Sequence, residues 1–351
     1  MAGGGGTRLR PLSTADRPKP FLPLLPGGET LLQRTVARLR GDELGGRPDI
    51  AVVVSAAWAP LVAAQVPDAR LIVEPEGRNT AAAIALAALE PGRDPDAVMV
   101  VLPADHRIDP AREPVFRGVL RDAAEGLAAG SFGIASPLVT LGVGVTRAAT
   151  EYGYLRPIVE RREHLHGLDA YPLEAFEEKP DPARAEQLRT MPGVAWNAGM
   201  FLWRRQAIVE ALERHAPEVL DGVRRGMAGD LAAAYAALPS RSIDYAVMEP
   251  AAAVGSVVMA AMDVGWTDVG TWPALLEVLG AAGIEGGVLE AGTAVQTVDG
   301  DLVIERVLGR VVVCETGAGV LRPDAPLAIL RDARDARAVV EALLERCAES
   351  G

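Results

Sequence analysis

Short apolar runs alternate with amphipathic or alanine-rich stretches along most of the chain. Residues 50–54 and 97–102 are apolar and rich in β-branched side chains, which is typical of buried parallel strands. Residues 81–89 and 114–129 instead have the composition and spacing of helices. This alternation predicts an α/β fold, with a Rossmann-like, mostly parallel sheet and helices on both faces.

The same pattern continues to about residue 280 and then changes. Helical segments are predicted over much of residues 206–248, and Pro182 favours the beginning of a helix. Further strands are predicted at residues 71–73, 138–143, 173–176, 196–203 and 257–262. Beyond residue 281 the apolar runs are short and separated by turns, at residues 294–298, 302–304, 311–314 and 327–330. We therefore predict a domain of residues 1–280 and a small β domain of residues 281–351, which closes with a helix at 332–347.

Composition excludes several classes of partner. The net charge of −12 argues against nucleic acid, and no apolar run approaches the ~20 residues that cross a membrane. No basic segment followed by an apolar one stands at the N-terminus, and two cysteines form no disulfide framework. These observations predict a cytoplasmic protein with no nucleic-acid or membrane partner.

Four glycines at residues 3–6 begin the stretch that is richest in candidate chemistry. Glycine lets a backbone approach a ligand closely, and successive N–H groups can hold an anion. Thr7 adds a hydroxyl, and Arg8, Arg10, Arg17 and Lys19 add positive charge. The stretch follows neither the Walker pattern nor the dinucleotide fingerprint. It favours a polyphosphate loop, against the alternative of a flexible glycine-rich N-terminus.

Only Met1 and Ala2 precede these glycines, whereas a phosphate loop in an α/β protein normally follows a buried strand. Losing a central strand leaves its neighbours without ladder partners, at roughly 1–3 kcal/mol for each unpaired buried group. We therefore expect the first strand to be truncated, with Met1 an internal methionine and the native start upstream. The alternative is that the chain is expressed as written and another segment fills the gap.

Residue usage points to a second group of candidates. The chain has two lysines, Lys19 and Lys179, and two asparagines, Asn79 and Asn197, each within a distinctive local motif. Asp105 directly follows a predicted strand, where ligands sit in open α/β sheets. Together with Asp268, in a later loop, it could hold one Mg²⁺ beside substrate phosphates. Either aspartate taken singly is better explained by a cap or a turn, and only the combination with a phosphate loop favours a metal site.

Eight stretches in order resemble the sugar-1-phosphate nucleotidyltransferases, and within them the mannose-1-phosphate guanylyltransferases. They cover most of the chain, at residues 2–21, 74–80, 102–106, 151–154, 176–180, 196–201, 243–249 and 266–272. The resemblance implies transfer of GMP from GTP to mannose 1-phosphate. A phosphate oxygen of the sugar phosphate would attack the α-phosphorus directly, giving GDP-mannose and pyrophosphate.

The resemblance also implies a role for each matching residue. Lys19 would act at the α-phosphate and Arg8 at the leaving pyrophosphate, and Asp105 and Asp268 would bind Mg²⁺. The remaining roles are nucleotide binding by Gly4, Gly5, Gly6, Thr7, Arg78, Asn79 and Thr80, and substrate binding by Gly153, Glu178, Lys179 and Asn197. Among the latter, Lys179 would contact the sugar phosphate and the others sugar hydroxyls.

Departures from the family pattern leave alternatives open. Arg10 stands where many members have tryptophan, and Pro20 where many have glutamine. The chain also stops before the isomerase domain of longer members, so no phosphomannose isomerase activity is expected. Another nucleotidyltransferase, with a different base or sugar, is the nearest alternative, and a non-catalytic nucleotide-sugar-binding regulatory subunit is the next. A homodimer through the C-terminal region is possible, since the apolar faces there need a partner.

Overall fold

A computed structural model describes most of the chain up to residue 270. Described are residues 1–2, 9, 13, 15, 18–25, 28–270, 274–275 and 278, with strand backbones at 287–289, 293–298, 301–306, 309–314 and 327–330. The contacts divide the chain into two compact units. The first comprises Met1–Gly3, Val36–Ala104 and Ile108–Trp266, and the second Gly4–Thr35, Asp105–Arg107 and Thr267–Gly351.

The helices are α1 Leu31–Arg38, α2 Ala59–Gln65, α3 Asn79–Ala88, α4 Glu113–Ala129, α5 Pro182–Arg189, α6 Arg205–His215, α7 Pro217–Ala228, α8 Leu231–Ala236 and α9 Glu249–Ala253. A π-helix at Asp244–Met248 directly precedes α9. The strands up to residue 262 are β1 Ala51–Ser55, β2 Arg70–Glu74, β3 Val98–Val101, β4 Leu138–Gly144, β5 Gly153–Pro157, β6 Glu163–Leu165, β7 Leu168–Glu178, β8 Ala195–Arg204 and β9 Val257–Met262.

The α/β class is confirmed, and the strand pairing is more mixed than the mostly parallel sheet that the sequence predicts. The described residues contain a sheet with the strand order β3-β8-β4-β9-β7-β5, and β6 pairs with β7. In this sheet β4 and β9 are parallel, and the other paired strands are antiparallel. Short connections explain the antiparallel β6–β7 and β5–β7 pairs, since a parallel pair needs a crossover of a dozen residues or more. The antiparallel pairs of β8 with β3, β4 and β5 join strands that are far apart in the chain, so connection length does not set their direction.

β1 and β2 form a separate parallel pair beside this sheet. The Met1 amino group donates to Leu102 O at 2.8 Å, and Ala104 N donates to Met1 O at 3.0 Å. Ala2 N donates to Val53 O of β1 at 2.9 Å. Met1 and Ala2 thus hydrogen-bond both to β1 and to the loop that follows β3.

Both faces of the seven-stranded sheet are covered by apolar packing. Val257 and Met259 of β9 belong to one buried cluster, and Val258 and Ala260 belong to another. Because successive strand residues point to opposite faces, these two clusters lie on the two sides of the sheet. Burial on both sides explains why the strands are continuous apolar runs rather than alternating ones.

In the second unit the four predicted apolar runs form strands, and a further strand precedes them. They are β10 Gly287–Leu289, β11 Thr293–Val298, β12 Asp301–Arg306, β13 Gly309–Cys314 and β14 Leu327–Leu330, in one sheet of that order. The predicted helix at 332–347 lies outside the described residues. Within the described part, no helix is long and apolar enough to cross a membrane.

Candidate active site

The first group of candidate residues lies within the second compact unit and centres on Lys19. This lysine belongs to a short 3₁₀ turn, Lys19–Phe21, and is only 5% exposed. Its Nζ donates to Asp105 Oδ2 at 3.0 Å and also to the backbone carbonyl of Asp268. One buried ammonium therefore joins the two residues that the sequence pairs as metal ligands.

The Asp268 loop is held in an unusual conformation. Gly270 N donates to Asp268 Oδ1 at 3.0 Å, and Val269 N donates to Thr267 Oγ1 at 3.1 Å. Between them Val269 has φ +44°, which a β-branched residue rarely adopts. Such strain persists only where the surroundings enforce it and is concentrated at functional sites. The fully buried Val269 side chain holds the loop, and with it Asp268, in place.

Charge around Asp105 favours its ionised form. Burial raises the pKa of this carboxyl, but the charge of Lys19, that of His106 and the Lys19 hydrogen bond outweigh it, so the pKa lies below its usual value. The side chain remains 32% exposed. Asp105 is thus an ionised carboxylate that solvent still reaches, and Mg²⁺ prefers oxygen donors of this kind. The glycine-loop candidates, Gly4, Gly5, Gly6, Thr7 and Arg8, lie outside the described residues.

The sugar-binding candidates come together in the first compact unit. Gly153 of β5 lies opposite Glu178 of β7 in the antiparallel ladder. A Cβ built at Gly153 would overlap Glu178 Oε2 and come within 3.2 Å of Phe176 Cε1. The Glu178 side chain is only 5% exposed and pairs with Lys179. A side chain at 153 would therefore displace the Glu178 carboxylate from the position it has across Gly153.

Lys179 follows directly, in a left-handed conformation with φ +49° that turns the chain at the end of β7. Its side chain is 52% exposed and hydrogen-bonds to Glu178. Burial lowers the pKa of this ammonium, but the hydrogen bond and charge of Glu178 outweigh it, and the pKa lies above its usual value. Lys179 is thus a cation throughout the neutral range with half of its side chain open to solvent.

Asn197 lies on β8 with its amide hydrogen-bonded at both ends. Its Oδ1 accepts from Thr140 Oγ1 at 2.8 Å and from Gly199 N at 3.0 Å. Its Nδ2 donates to Asp244 Oδ1 at 2.9 Å. Gly199 itself has φ +65°, which glycine allows without strain, and this turns its N–H back towards Asn197. The amide is therefore fixed in one orientation.

The π-helix and α9 contact the same group from the other side. Glu178 N donates to Glu249 Oε1 at 2.7 Å, and Tyr245 Oη donates to Glu178 O at 3.4 Å. Burial and the charge of Glu178 raise the pKa of Asp244 to about 6, and burial also raises the pKa of Glu249. π-Helical turns are frequently found at functional sites. This segment thus adds two carboxylates to the candidate sugar site.

The nucleotide-binding candidates at the beginning of α3 connect to the same segment. Thr80 Oγ1 accepts from Ile243 N at 2.8 Å, and Ala81 N donates to Arg241 O at 3.2 Å. Asn79 has φ +67° and its side chain accepts from Thr80 N. Arg78 donates to Glu76 Oε1 and to Ala236 O. The structure thus brings Thr80 and the sugar candidates into one hydrogen-bonded framework.

Sequence reasoning missed three residues of this framework. Asp244 and Glu249 lie in the stretch 243–249, which resembles the family, yet no role was assigned to them. Thr140 lies within a predicted strand, and nothing in the neighbouring sequence indicates a role for it. Its contribution is a hydrogen bond to Asn197, which is 57 positions away in the chain. Asp244 and Glu249 could have been predicted as site residues, because they are two carboxylates within a stretch that resembles the family.

Comparison with known proteins identifies the family of this chain. A family model described as nucleotidyl transferase matches residues 1–282. Mannose-1-phosphate guanylyltransferase of Escherichia coli K12 is 39% identical over 298 residues, which cover 79% of this chain and 58% of that protein. Mannose-1-phosphate guanylyltransferase of Sinorhizobium fredii is 37% identical over 293 residues, covering 78% of this chain and 53% of that protein. The chain thus spans little more than half the length of these relatives.

A solved structure titled mannose-1-phosphate geranyltransferase, from Thermus thermophilus, covers 87% of this chain and 93% of its own, with a TM-score of 0.69 and 33% identity. A mannose-6-phosphate isomerase structure from Helicobacter pylori, at 24% identity and a TM-score of 0.59, shares the fold. On the family match and these likenesses together, the chain belongs to the nucleotidyl transferase family.

Proposed function

We propose that the protein transfers GMP from GTP to mannose 1-phosphate, giving GDP-mannose and pyrophosphate. A phosphate oxygen of the sugar phosphate forms a bond to the α-phosphorus, while the bond from the α-phosphorus to the leaving pyrophosphate oxygen breaks. Two of the similar proteins are named for this activity, in support of the proposal. The observation that carries it is the convergence of Lys19, Asp105 and Asp268 in the second unit.

Lys19 supplies positive charge for this reaction. Charge that develops on the phosphoryl oxygens is best stabilised by cationic groups already held in place. Lys19 is held by two hydrogen bonds in a largely buried position, so it loses little freedom when it contacts a phosphate. Arg8 would neutralise the pyrophosphate, and Gly4, Gly5, Gly6 and Thr7 would hold the triphosphate, as the family resemblance implies.

Asp105 and Asp268 would hold Mg²⁺. Both offer carboxylate oxygens, the ligands that Mg²⁺ prefers, and the Lys19 ammonium reaches both residues, so the two aspartates lie near one another. When bound, the metal supplies Lewis-acid neutralisation of the phosphate oxygens. The protein's own contribution is to keep Asp105 ionised and to fix the Asp268 loop.

In the first unit, Gly153, Glu178 and Asn197 would bind sugar hydroxyls and Lys179 the sugar phosphate. Glu178 offers acceptor oxygens and Asn197 a donor, as a hydroxyl-rich ligand requires. Lys179 offers an exposed cation to a dianionic group. Arg78, Asn79 and Thr80 would bind the nucleoside.

A cytoplasmic location and a homodimer through residues 281–351 stay predictions. The homodimer can be tested by light scattering before and after removal of residues 332–351.

The deciding experiment measures pyrophosphate release by the full chain with a panel of nucleoside triphosphates and sugar 1-phosphates. Turnover with GTP and mannose 1-phosphate above all other pairs supports the proposal. Turnover with another pair identifies a different nucleotidyltransferase. Nucleotide-sugar binding without any turnover identifies a regulatory subunit.

Asp268→Asn tests the metal role within the same assay. An asparagine retains an oxygen for the Gly270 hydrogen bond, and Lys19 contacts the backbone of residue 268, so the loop should stay folded. Turnover should fall on the order of 10²-fold or more, by analogy with losing one strong transition-state contact. Asp263→Asn, an exposed aspartate just upstream, is the matched control and should keep full activity. Full activity of Asp268→Asn, or of the wild type in excess chelator, would refute the metal role.

A further inference from the structure

The orientation of the Asn197 amide follows from the chemistry of its neighbours. A backbone N–H such as that of Gly199 can only donate, and an ionised carboxylate such as Asp244 can only accept. Oδ1 must therefore face Gly199 and Nδ2 must face Asp244, at the observed 3.0 and 2.9 Å. Thr140 Oγ1 supplies a second donor to Oδ1 at 2.8 Å.

This arrangement limits what Asn197 can offer to a ligand. The two lone pairs of Oδ1 are both used within the protein, by Thr140 and Gly199, whereas Nδ2 carries two hydrogens and uses one of them on Asp244. The remaining capacity of the amide is one N–H donor. A ligand atom that contacts Asn197 must consequently be an acceptor, such as a sugar hydroxyl oxygen.

Asp244 and Thr140 are both placed on rigid parts of the fold. Thr140 is fully buried within β4. Asp244 begins the π-helix, and the next turn is anchored by the buried side chains of Ala246, Val247 and Met248. Side chains on such supports keep their positions more precisely than side chains on loops. The amide of Asn197 is thus held between two fixed points.

We propose that Asp244 and Thr140 are positioning residues of the sugar subsite, which hold Asn197 as a donor towards one hydroxyl of the sugar phosphate. The inference rests on the proposed function, because it takes Asn197 as a sugar ligand. It adds that Asp244, in the 243–249 segment, acts on the sugar through Asn197. The raised pKa of Asp244 is consistent with a carboxylate placed for this contact despite the nearby charge of Glu178.

The test measures the affinity of the full chain for mannose 1-phosphate by equilibrium titration, together with steady-state KM and kcat for both substrates. Asp244→Ala releases the amide and should weaken mannose 1-phosphate about tenfold, the scale of one lost hydrogen bond with a donor left unpaired. Its KM for GTP should stay within about twofold, since the change is confined to ground-state binding of the sugar. Thr140→Val, which removes the other contact at similar volume, should show the same selective loss.

Two further variants separate positioning from a general structural effect. In an Asn197→Ala background, adding Asp244→Ala should cause no further loss, because the residue through which Asp244 acts is already gone. Asp244→Asn keeps an acceptor oxygen for Nδ2 and should recover affinity to within about threefold of wild type. Asp263→Ala, at an exposed position, is the matched control for removal of an aspartate.

The outcomes distinguish the inference from the function on which it rests. A wild-type chain that turns over GTP and mannose 1-phosphate, with unchanged sugar affinity in Asp244→Ala, overturns the inference alone. Equal losses from Asp244→Ala in the wild-type and Asn197→Ala backgrounds also overturn it. A wild-type chain that neither binds nor turns over mannose 1-phosphate overturns the proposed function and the inference together.

Discussion

The Lys19–Asp105 pair allows a quantitative test of the candidate phosphate site. Lys19→Met removes the ammonium and keeps an unbranched chain of similar length in the largely buried position. Removing one partner of a fully buried ion pair costs about 3–5 kcal/mol, because the other charge is left without compensation. Solvent reaches 32% of the Asp105 side chain and screens part of that cost. We therefore expect Lys19→Met to lower the free energy of unfolding by about 1–3 kcal/mol.

The assay is a double-mutant cycle by urea denaturation near pH 7. Lys19→Met leaves the Asp105 charge without a partner, and Asp105→Asn removes that charge. The double variant should therefore be more stable than the sum of the two single changes predicts, by about 1–2 kcal/mol. Arg224→Met, which breaks exposed pairs with Glu213 and Asp221, is the control and should cost less than about 1 kcal/mol. Additivity of Lys19→Met and Asp105→Asn within about 0.5 kcal/mol would show that the two residues do not interact as described.

Three further predictions concern other residues of the protein. Gly153→Ala should displace the Glu178 carboxylate and raise the KM for mannose 1-phosphate about tenfold, with GTP unaffected; unchanged sugar kinetics would contradict the close approach. Lys179→Ala should mainly raise the KM for mannose 1-phosphate, whereas Lys19→Ala should mainly lower kcat, and identical kinetic profiles would refute this division. Burial raises the pKa of Glu74 to about 7, from about 4.5 in the unfolded chain. Between these two pH values the folded protein binds a proton that the unfolded chain has released, so the free energy of unfolding should fall as the pH rises from about 4.5 to 7. Urea denaturation of Glu74→Gln should show a smaller fall over that range, and equal pH dependence in both proteins would count against the buried carboxyl.

Several elements follow from the sequence because the forces behind them are local. The apolar run that predicts a strand at residues 257–262 matches β9 at both ends, and the helix that Pro182 favours begins at that residue. Period and composition report which faces of an element are buried, and proline reports where a helix can begin. The four strands predicted between residues 294 and 330 are likewise present.

Pairing between strands was decided by tertiary structure. A continuous apolar run shows that a strand is buried on both faces, and it carries no direct information on the direction of its neighbours. The predicted mostly parallel sheet therefore became a mixed one, in which β8 pairs antiparallel with β3, β4 and β5. These pairs join strands that are far apart in the chain, so neither the pattern within a strand nor the length of a connection shows their direction.

For the candidate site, too, the sequence determined one part and the tertiary structure another. Sequence by itself determined which residue types are available, and the family resemblance predicts that Lys19, Asp105 and Asp268 act in one function. Only the tertiary structure decided that one ammonium joins residues 86 and 249 positions away, and that Asp244 and Thr140 hold Asn197 from its two ends. The reason is physical: hydrogen-bonding capacity is a property of each side chain, but whether a partner fills it depends on which distant segments the packing brings within about 3 Å.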